Sequence, residues 1–294
     1  MQDEDEAPSW YAGVTDIELA GHTVDLGKGL VLSPAYVHVM AHAMLAFKRP
    51  EAGKPHPGPW VGVPGGFSMD VSAQLYVPGC YTRAKTANYN VVRRLVGLMR
   101  MWVQPTIRLA FVSQVDFEEI PGEAKRSPVA ALPLETESLQ LRVTTGHTGS
   151  HTELMEWVRL NWETVLDLAE RHPSFELALD AIDQVWFMKS KPLALVALWG
   201  ALEALFTGQK TELRFRVSSM VAAYLESPGP NRAALQRSAA KLYDARSSAA
   251  HGSSTHSDRD LMESYELLRR AVVRMVEEQK VPAARDLEAL LFGG

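Results

Sequence analysis

Two residues near the C-terminal end of the chain have side chains suited to chemistry on a phosphodiester. Arg246 and His251 stand five positions apart in the run LYDARSSAAHG, residues 242–252. Arginine carries a permanent charge and a planar fork of donors that matches phosphate oxygens. Histidine transfers protons near neutral pH. Cleavage of RNA by its own 2′-hydroxyl needs one group that takes a proton and one that gives a proton, without a metal ion. The pair therefore predicts metal-free cleavage of RNA.

The spacing of the two residues sets a geometric condition on this prediction. On an unbroken helix, five positions place Arg246 and His251 about 140° apart. Because Gly252 favours a helix end, unwinding of the last turn would let His251 swing back toward Arg246. One histidine fills only one proton-transfer role at a time, so a two-fold dimer is expected to supply the second. The alternative is a histidine that only caps the negative end of a helix.

The surrounding segment is basic although the whole chain has a net charge of −5. Between residues 208 and 252, seven Lys and Arg face three acidic residues, a balance of +4. This asymmetry favours a polyanion such as RNA. The candidate RNA contacts are Arg214, Arg216, Arg237 and Lys241.

Glu203 is the only ionisable residue in the apolar segment 192–206. A carboxylate in such a helix needs a partner, because an unpaired buried charge is costly. Two roles stay open for Glu203. It forms a purely structural pair with an arginine of a neighbouring helix, or it orients the arginine or histidine that performs the chemistry.

Composition excludes several other kinds of site. Cys80 is the single cysteine, so neither a disulfide within the chain nor a cysteine metal site is possible, and we expect Cys80 to be buried. We expect no metal and no cofactor. The start of the chain, MQDEDEAPSW, has acidic residues where a secretion signal needs basic ones. The apolar run 192–206 is shorter than the roughly 20 residues of a membrane span. We expect a cytoplasmic protein that does not contact a membrane.

The pattern along the chain predicts an α+β protein with two parts. Residues 1–125 form a mixed α/β domain of unknown role, 126–149 a linker rich in Pro, Gly, Ser and Thr, and 150–294 a helical bundle. The first domain has β-rich segments at 14–20, 29–33, 60–63, 71–77 and 106–115, and helices at 34–47 and 89–102. A helix at 34–47 would place His38 and His42 on one face, but no third metal ligand is evident.

Six helices are predicted in the second half, joined by short connections as in an antiparallel bundle. The fully apolar helix 192–206 is expected at the centre of the bundle. Ser257 and Asp260 form a capping box at the start of the last helix. The predicted helices span 152–171, 174–188, 192–206, 212–226, 232–250 and 258–279.

These residues carry a resemblance to a known family. The run LYDARSSAAHG resembles the Arg-x4–6-His signature of HEPN domains, and the segments ALWGALEALF (197–206) and ELRFRVSSMVAAYLE (212–226) resemble the ApeA-like branch of that superfamily. The resemblance covers about residues 150–280. By this resemblance, Arg246 and His251 match the catalytic signature. Ser247 matches the polar position after the arginine, and Glu203 matches the acidic residue of the earlier helix.

The resemblance implies a helical domain that forms a homodimer. It also implies a metal-independent endoribonuclease of the kind used in phage defence or in toxin–antitoxin systems, with an antitoxin or regulatory partner. Some members of the family have lost catalysis and bind RNA, a nucleotide or a protein partner, and Ser247, which is less typical than Asn, Asp or His, keeps that alternative open. A third alternative places the main activity in the N-terminal domain.

Overall fold

A computed structural model describes residues 8–47, 52–53, 60–83, 87–123, 131–137, 139–140, 149–207, 212–250 and 257–292. The chain divides into two compact units. The first comprises Met1–Thr82, Thr106–Glu137 and Ser150–Thr152, and the second Arg83–Pro105, Ser138–Gly149 and Glu153–Gly294. The first unit is built on an antiparallel sheet and the second on helices, so the expected α+β class is confirmed.

Within the described ranges, the sheet unit contains six strands in the order β2-β3-β4-β1-β5-β6. Each neighbouring pair is antiparallel, and β3 and β4 form one long hairpin. A one-turn helix, α2 (Ile120–Glu123), follows β5. The strands are β1 (Trp10–Thr15), β2 (Val24–Gly27), β3 (Leu30–Phe47), β4 (Trp60–Val77), β5 (Arg108–Ser113) and β6 (Ala131–Pro133).

The prediction of a helix over residues 34–47 is wrong, because this segment continues strand β3. Val37 is buried and packs with Val71 and Phe111 in the core of the sheet unit, while Tyr36 and His38 on either side of it are exposed. This period of two belongs to a strand with one buried face. Alanine and methionine in the segment gave it a helical composition, but pairing with β4 decided its conformation.

The helical unit contains α1 and the helices that follow residue 150. Helix α5 lies at its centre and packs against α4, α6, α7 and α8, as its apolar sequence predicts. Its helices are α1 (Asn88–Trp102), α3 (His151–Arg171), α4 (Pro173–Gln184), α5 (Lys191–Phe206), α6 (Leu213–Leu225), α7 (Pro230–Ala250), α8 (Asp258–Glu277) and α9 (Ala284–Phe292), with a 3₁₀ turn at Val185–Phe187.

Local sequence signals explain where several of these helices begin. Ser257 accepts a hydrogen bond from the backbone N–H of Asp260, whose carboxylate accepts one in return, so the predicted capping box is confirmed. Ser190 caps α5, and Pro192 occupies its first turn. None of the helices in the described ranges is both long and apolar enough to cross a lipid bilayer.

Helix α1 belongs to the helical unit, whereas the sequence-based division placed residues 1–125 in the first domain. The guanidinium of Arg100, only 1% exposed, forms an ion pair with Asp183 of α4. Gly97 makes the close approach possible, because a Cβ at that position would lie 2.9 Å from Asp183 Oδ1. The buried ion pair of Arg100 and Asp183 therefore links α1 to α4, and the absence of a side chain at Gly97 lets the two helices lie close together.

Cys80 and His38 were both considered as site residues from the sequence, and the structure shows where each of them lies. Cys80 is exposed rather than buried, because it lies in the turn that follows β4. His38 lies on β3, where its Nδ1 is 2.7 Å from Asp70 Oδ1 on β4. Within the described ranges, no group of three or more His, Cys, Asp and Glu side chains is arranged to hold a metal ion.

Candidate functional site

Arg246 lies in the last two turns of α7, on the face that packs against α5. Its Nη2 is 3.1 Å from Oε1 and 3.3 Å from Oε2 of Glu203. The two side chains are 22% and 19% exposed, so the pair is mostly buried but still reached by solvent. We call the surroundings of this pair, formed by Glu203, Arg246 and Tyr243, the crevice. Glu203 stands one turn from the end of α5, which places it opposite the end of α7. The predicted pairing of Glu203 with an arginine is therefore present, and the arginine is Arg246.

Two aromatic rings pack beside this ion pair. Tyr243 precedes Arg246 by three positions on α7, and the guanidinium carbon of Arg246 is 5.5 Å from the centre of its ring. The Tyr243 ring meets Trp199 of α5 edge-on, with centroids 5.3 Å apart and an interplanar angle of 88°. Trp199 Nε1 donates a hydrogen bond of 3.0 Å to Ser264 Oγ on α8. Three helices thus restrict the orientation of the Arg246 side chain.

The electrostatics of the site keep the Tyr243 phenol neutral. Burial raises the pKa of Tyr243, and the negative charge of Glu203 raises it further, while the positive charge of Arg246 acts in the opposite direction. A neutral phenol can donate a hydrogen bond, which a phenolate cannot. The interaction of the phenol with the Glu203 side chain also raises the pKa of Tyr243, so the Glu203 carboxylate faces both the guanidinium of Arg246 and the hydroxyl of Tyr243.

One donor of the ion pair is buried without a hydrogen bond. Within the part of the chain that the structure describes, Arg246 Nε has no hydrogen-bond partner, whereas Glu203 Oε1 is held at 3.1 Å from Arg246 Nη2 by the charge pair. Buried polar atoms are satisfied in the great majority of cases, so Arg246 Nε is a donor still free to bind an acceptor.

The second residue of the predicted pair cannot be placed in this crevice. His251 and Gly252, together with His256 and Lys210, lie outside the described residues, and α7 is described to Ala250. Ser247 is half-buried on α7, about 100° around the helix from Arg246. The expected meeting of Arg246 with His251 stays a prediction.

The predicted RNA contacts do not form one surface around Arg246. Arg237 and Lys241 are both exposed and share one face of α7, since they are four positions apart. Arg246 stands nine positions after Arg237, which places it about 180° around the same helix. The structure therefore does not bring these two cations together with Arg246.

The other two predicted contacts lie on α6. Arg214 donates from Nε and Nη2 to both carboxylate oxygens of Asp244 on α7, at 2.6 and 2.8 Å, and both side chains are 55% exposed. Arg216 is half-buried beside Phe206 of α5, and its Nε has no hydrogen-bond partner within the described ranges. Arg214 lines a pocket together with a residue of the crevice, Tyr243.

Sequence reasoning missed two aromatic residues at this place. Phe215 is 61% exposed and lines, with Arg214 and Tyr243, a shallow pocket of about 480 Å³. The available signals were the i, i+3 spacing of Tyr243 and Arg246 and the position of Phe215 between two arginines. An exposed ring beside a guanidinium is a surface on which an unpaired base can stack.

Comparisons of the chain with protein-family models, with curated proteins and with solved structures found no match.

Proposed function

We propose that this protein is a metal-independent endoribonuclease of the HEPN type, acting in phage defence or in a toxin-like system. The observation that supports this proposal is the placement of Arg246 in a half-open crevice, paired with Glu203 and backed by Tyr243. A guanidinium with a restricted orientation is suited to stabilise charge that develops on a phosphate in the transition state. Within the proposal, Glu203 and Ser247 support this arginine.

The proposed reaction is an internal transfer of the phosphodiester. The 2′-hydroxyl oxygen forms a bond to phosphorus as a base removes its proton, and the bond from phosphorus to the 5′-oxygen breaks as an acid protonates that oxygen. The products are a 2′,3′-cyclic phosphate and a 5′-hydroxyl. His251 serves as the base or the acid, and Arg246 stabilises the negative charge of the phosphorane.

A second copy of the chain supplies the other proton-transfer group in this proposal. Helix α5 leaves one face open, on which Leu193 is 65% exposed and Ala204 is exposed, with Ala197 and Gly200 half-buried between them. Exposed apolar faces of this kind mark interaction sites. Glu203 lies next to Ala204, so a two-fold contact along this face would bring two copies of the crevice close together.

Cleavage of RNA by the purified protein in the presence of a chelator tests the proposal. Arg246→Ala and His251→Ala are each expected to lower the rate by about 10²–10⁴-fold, the usual loss for a proton-transfer group or an oxyanion donor. The matched control is Arg259→Ala, which removes the same charge from an 83% exposed position on α8 that is not among the predicted RNA contacts. Full activity of both site variants, or an equal loss in the control, would contradict the assignment.

In cells, expression of the protein is expected to be toxic, and His251→Ala is expected to relieve the toxicity. A gene that suppresses the toxicity would identify an antitoxin or regulatory partner. Toxicity that persists unchanged in the His251→Ala strain would count against a nuclease centred on this residue.

A binding module without catalysis is the second candidate. It is favoured by the pairing of Arg246 with Glu203 and of Arg214 with Asp244, which offsets much of the positive charge near the crevice. Such a module would bind RNA, a nucleotide or a protein partner without cleavage. RNA binding whose affinity falls steeply with salt, with no cleavage of any RNA tested, would support it over the enzyme.

A further inference from the structure

A pocket of about 460 Å³ opens between α1, α3 and α4 of the helical unit, on residues that play no part in the proposed nuclease. Its volume lies in the range of roughly 300–1,000 Å³ that is typical of small-molecule sites. The floor consists of apolar side chains that are each between 1% and 8% exposed. These floor residues are Leu98, Met101, Val165, Leu166, Ala169, Leu179 and Ile182.

Two carboxylates on the rim of this pocket share a single arginine. The charged groups that line the rim are those of Glu170, Glu176, Asp180, Asp183, Arg93 and Arg94. Glu170 pairs with Arg83 and Asp183 pairs with Arg100, so each of these two carboxylates has a cation of its own. Glu176 and Asp180 instead share Arg94, beside a floor that offers no polar group. A ligand that complements both features has an apolar body and a positive charge.

One part of the rim shows where the positive charge would bind. Arg94 of α1 donates from Nη1 to Asp180 Oδ1 at 2.6 Å and from Nη2 to Glu176 Oε1 at 3.1 Å. One guanidinium thus serves two carboxylates, which are 53% and 54% exposed. The second oxygens, Asp180 Oδ2 and Glu176 Oε2, accept no hydrogen bond from the described residues. These two oxygens stand one helical turn apart on α4 and can accept from an ammonium group.

We propose that this pocket binds a small organic cation whose aromatic or aliphatic body rests on the floor and whose ammonium group is held by Glu176 and Asp180. The binding site shares no residue with the Arg246 crevice. Its existence does not depend on the proposed nuclease activity.

Three amines serve as probes, phenethylamine, tryptamine and hexylamine, each with the carboxylate of matching shape as its control. Titration calorimetry with the full chain is expected to detect binding of at least one amine, and little or none of the matching carboxylate. No binding of any of the three amines, or equal binding of an amine and its carboxylate, would overturn the proposal.

Two variants locate the bound amine. Ala169→Met fills the floor and is expected to abolish binding, while Glu176→Gln on the exposed rim is expected to weaken it about 3- to 5-fold, as for a partly exposed charge pair. The control is Glu156→Gln, which removes a carboxylate that is 55% exposed and paired with Arg159 on α3, away from the pocket. If Ala169→Met does not fold, Glu176→Gln decides alone. Unchanged binding in Glu176→Gln, or the same loss in Glu156→Gln, refutes the assignment of the site.

Discussion

Replacing Arg100 by methionine would remove a charge from the interior of the helical unit. The Arg100 guanidinium is 1% exposed, forms an ion pair with Asp183, and lies 4.9 Å from the centre of the Phe187 ring. Methionine keeps the apolar stem and its packing, so the main loss is the partner of Asp183. That carboxylate is 16% exposed and would keep one hydrogen bond of 3.3 Å, from Gln184 Nε2.

The size of the effect follows from this burial. Breaking a buried pair by removing one partner costs about 3–5 kcal/mol, because the remaining charge stays buried without compensation. Arg100→Met is therefore expected to lower the free energy of unfolding of the helical unit by about that amount. The double variant Arg100→Met/Asp183→Asn should be more stable than the single variant, since it leaves no unpaired charge.

Urea unfolding followed by tryptophan fluorescence measures this difference. Of the seven tryptophans, only Trp10 and Trp60 lie in the sheet unit, so the signal reports mainly on the helical unit. Arg259→Met is the matched control, because Arg259 is 83% exposed in its pair with Glu263. The urea midpoint of the Arg259→Met variant should equal that of the parent protein. Equal losses in both arginine variants, or a double variant less stable than Arg100→Met, would refute the reasoning.

Three further predictions concern stability. Gly97→Ala should destabilise the helical unit, because its Cβ would lie 2.9 Å from Asp183 Oδ1. In the monomer, Gly200→Ala has open space and should stabilise helix α5 by about 0.5–1 kcal/mol. Thermal unfolding of both variants at a concentration where the protein is monomeric checks the opposite signs. Tyr265→Phe should be neutral or stabilising at pH 7, because the buried Tyr265 hydroxyl has no hydrogen-bond partner within the described ranges. A Tyr265→Phe variant that unfolds at a clearly lower urea concentration than the parent would contradict this. Burial raises the pKa of Tyr265 above its ordinary value of 10.0, so the folded state holds this proton more tightly than the unfolded state does. The parent protein should therefore lose stability as the pH rises above 10. Unfolding curves measured from pH 9 to 11 should show a smaller loss for Tyr265→Phe.

Periodic and capped helices were predictable from the sequence. Helix α8 has an apolar stripe with a single face and a capping box at Ser257, and both signals are local. Helix α5 was recognised by its uniform apolar character. By contrast, the helix Ala284–Phe292 was missed because it follows Pro282 closely and buries only Leu287. Short strands such as Val24–Gly27 and Ala131–Pro133 were missed because they gain their hydrogen bonds from neighbours distant in sequence.

The candidate site was predictable only in part. A carboxylate in an apolar helix requires a partner, which predicted that Glu203 pairs with an arginine. The total charge of residues 208–252 did not indicate that Arg237 and Lys241 occupy the side of α7 opposite Arg246, although the helical spacing of these residues does. Tyr243 was missed because its role depends on contact with Trp199, which is 44 residues away along the chain.

Each of the two units consists of chain segments that are separate in the sequence, and this limits which fragments of the protein can be expressed. Helix α1 is encoded between β4 and β5, and the chain passes between the units again before α3. A fragment that starts near residue 145 would lack α1 and would leave Asp183 without Arg100. Such a fragment is expected to be unstable and insoluble for that reason alone. Expression of the helical unit by itself therefore requires residues 83–105 to be supplied, for example through a permuted gene that joins them to the helices.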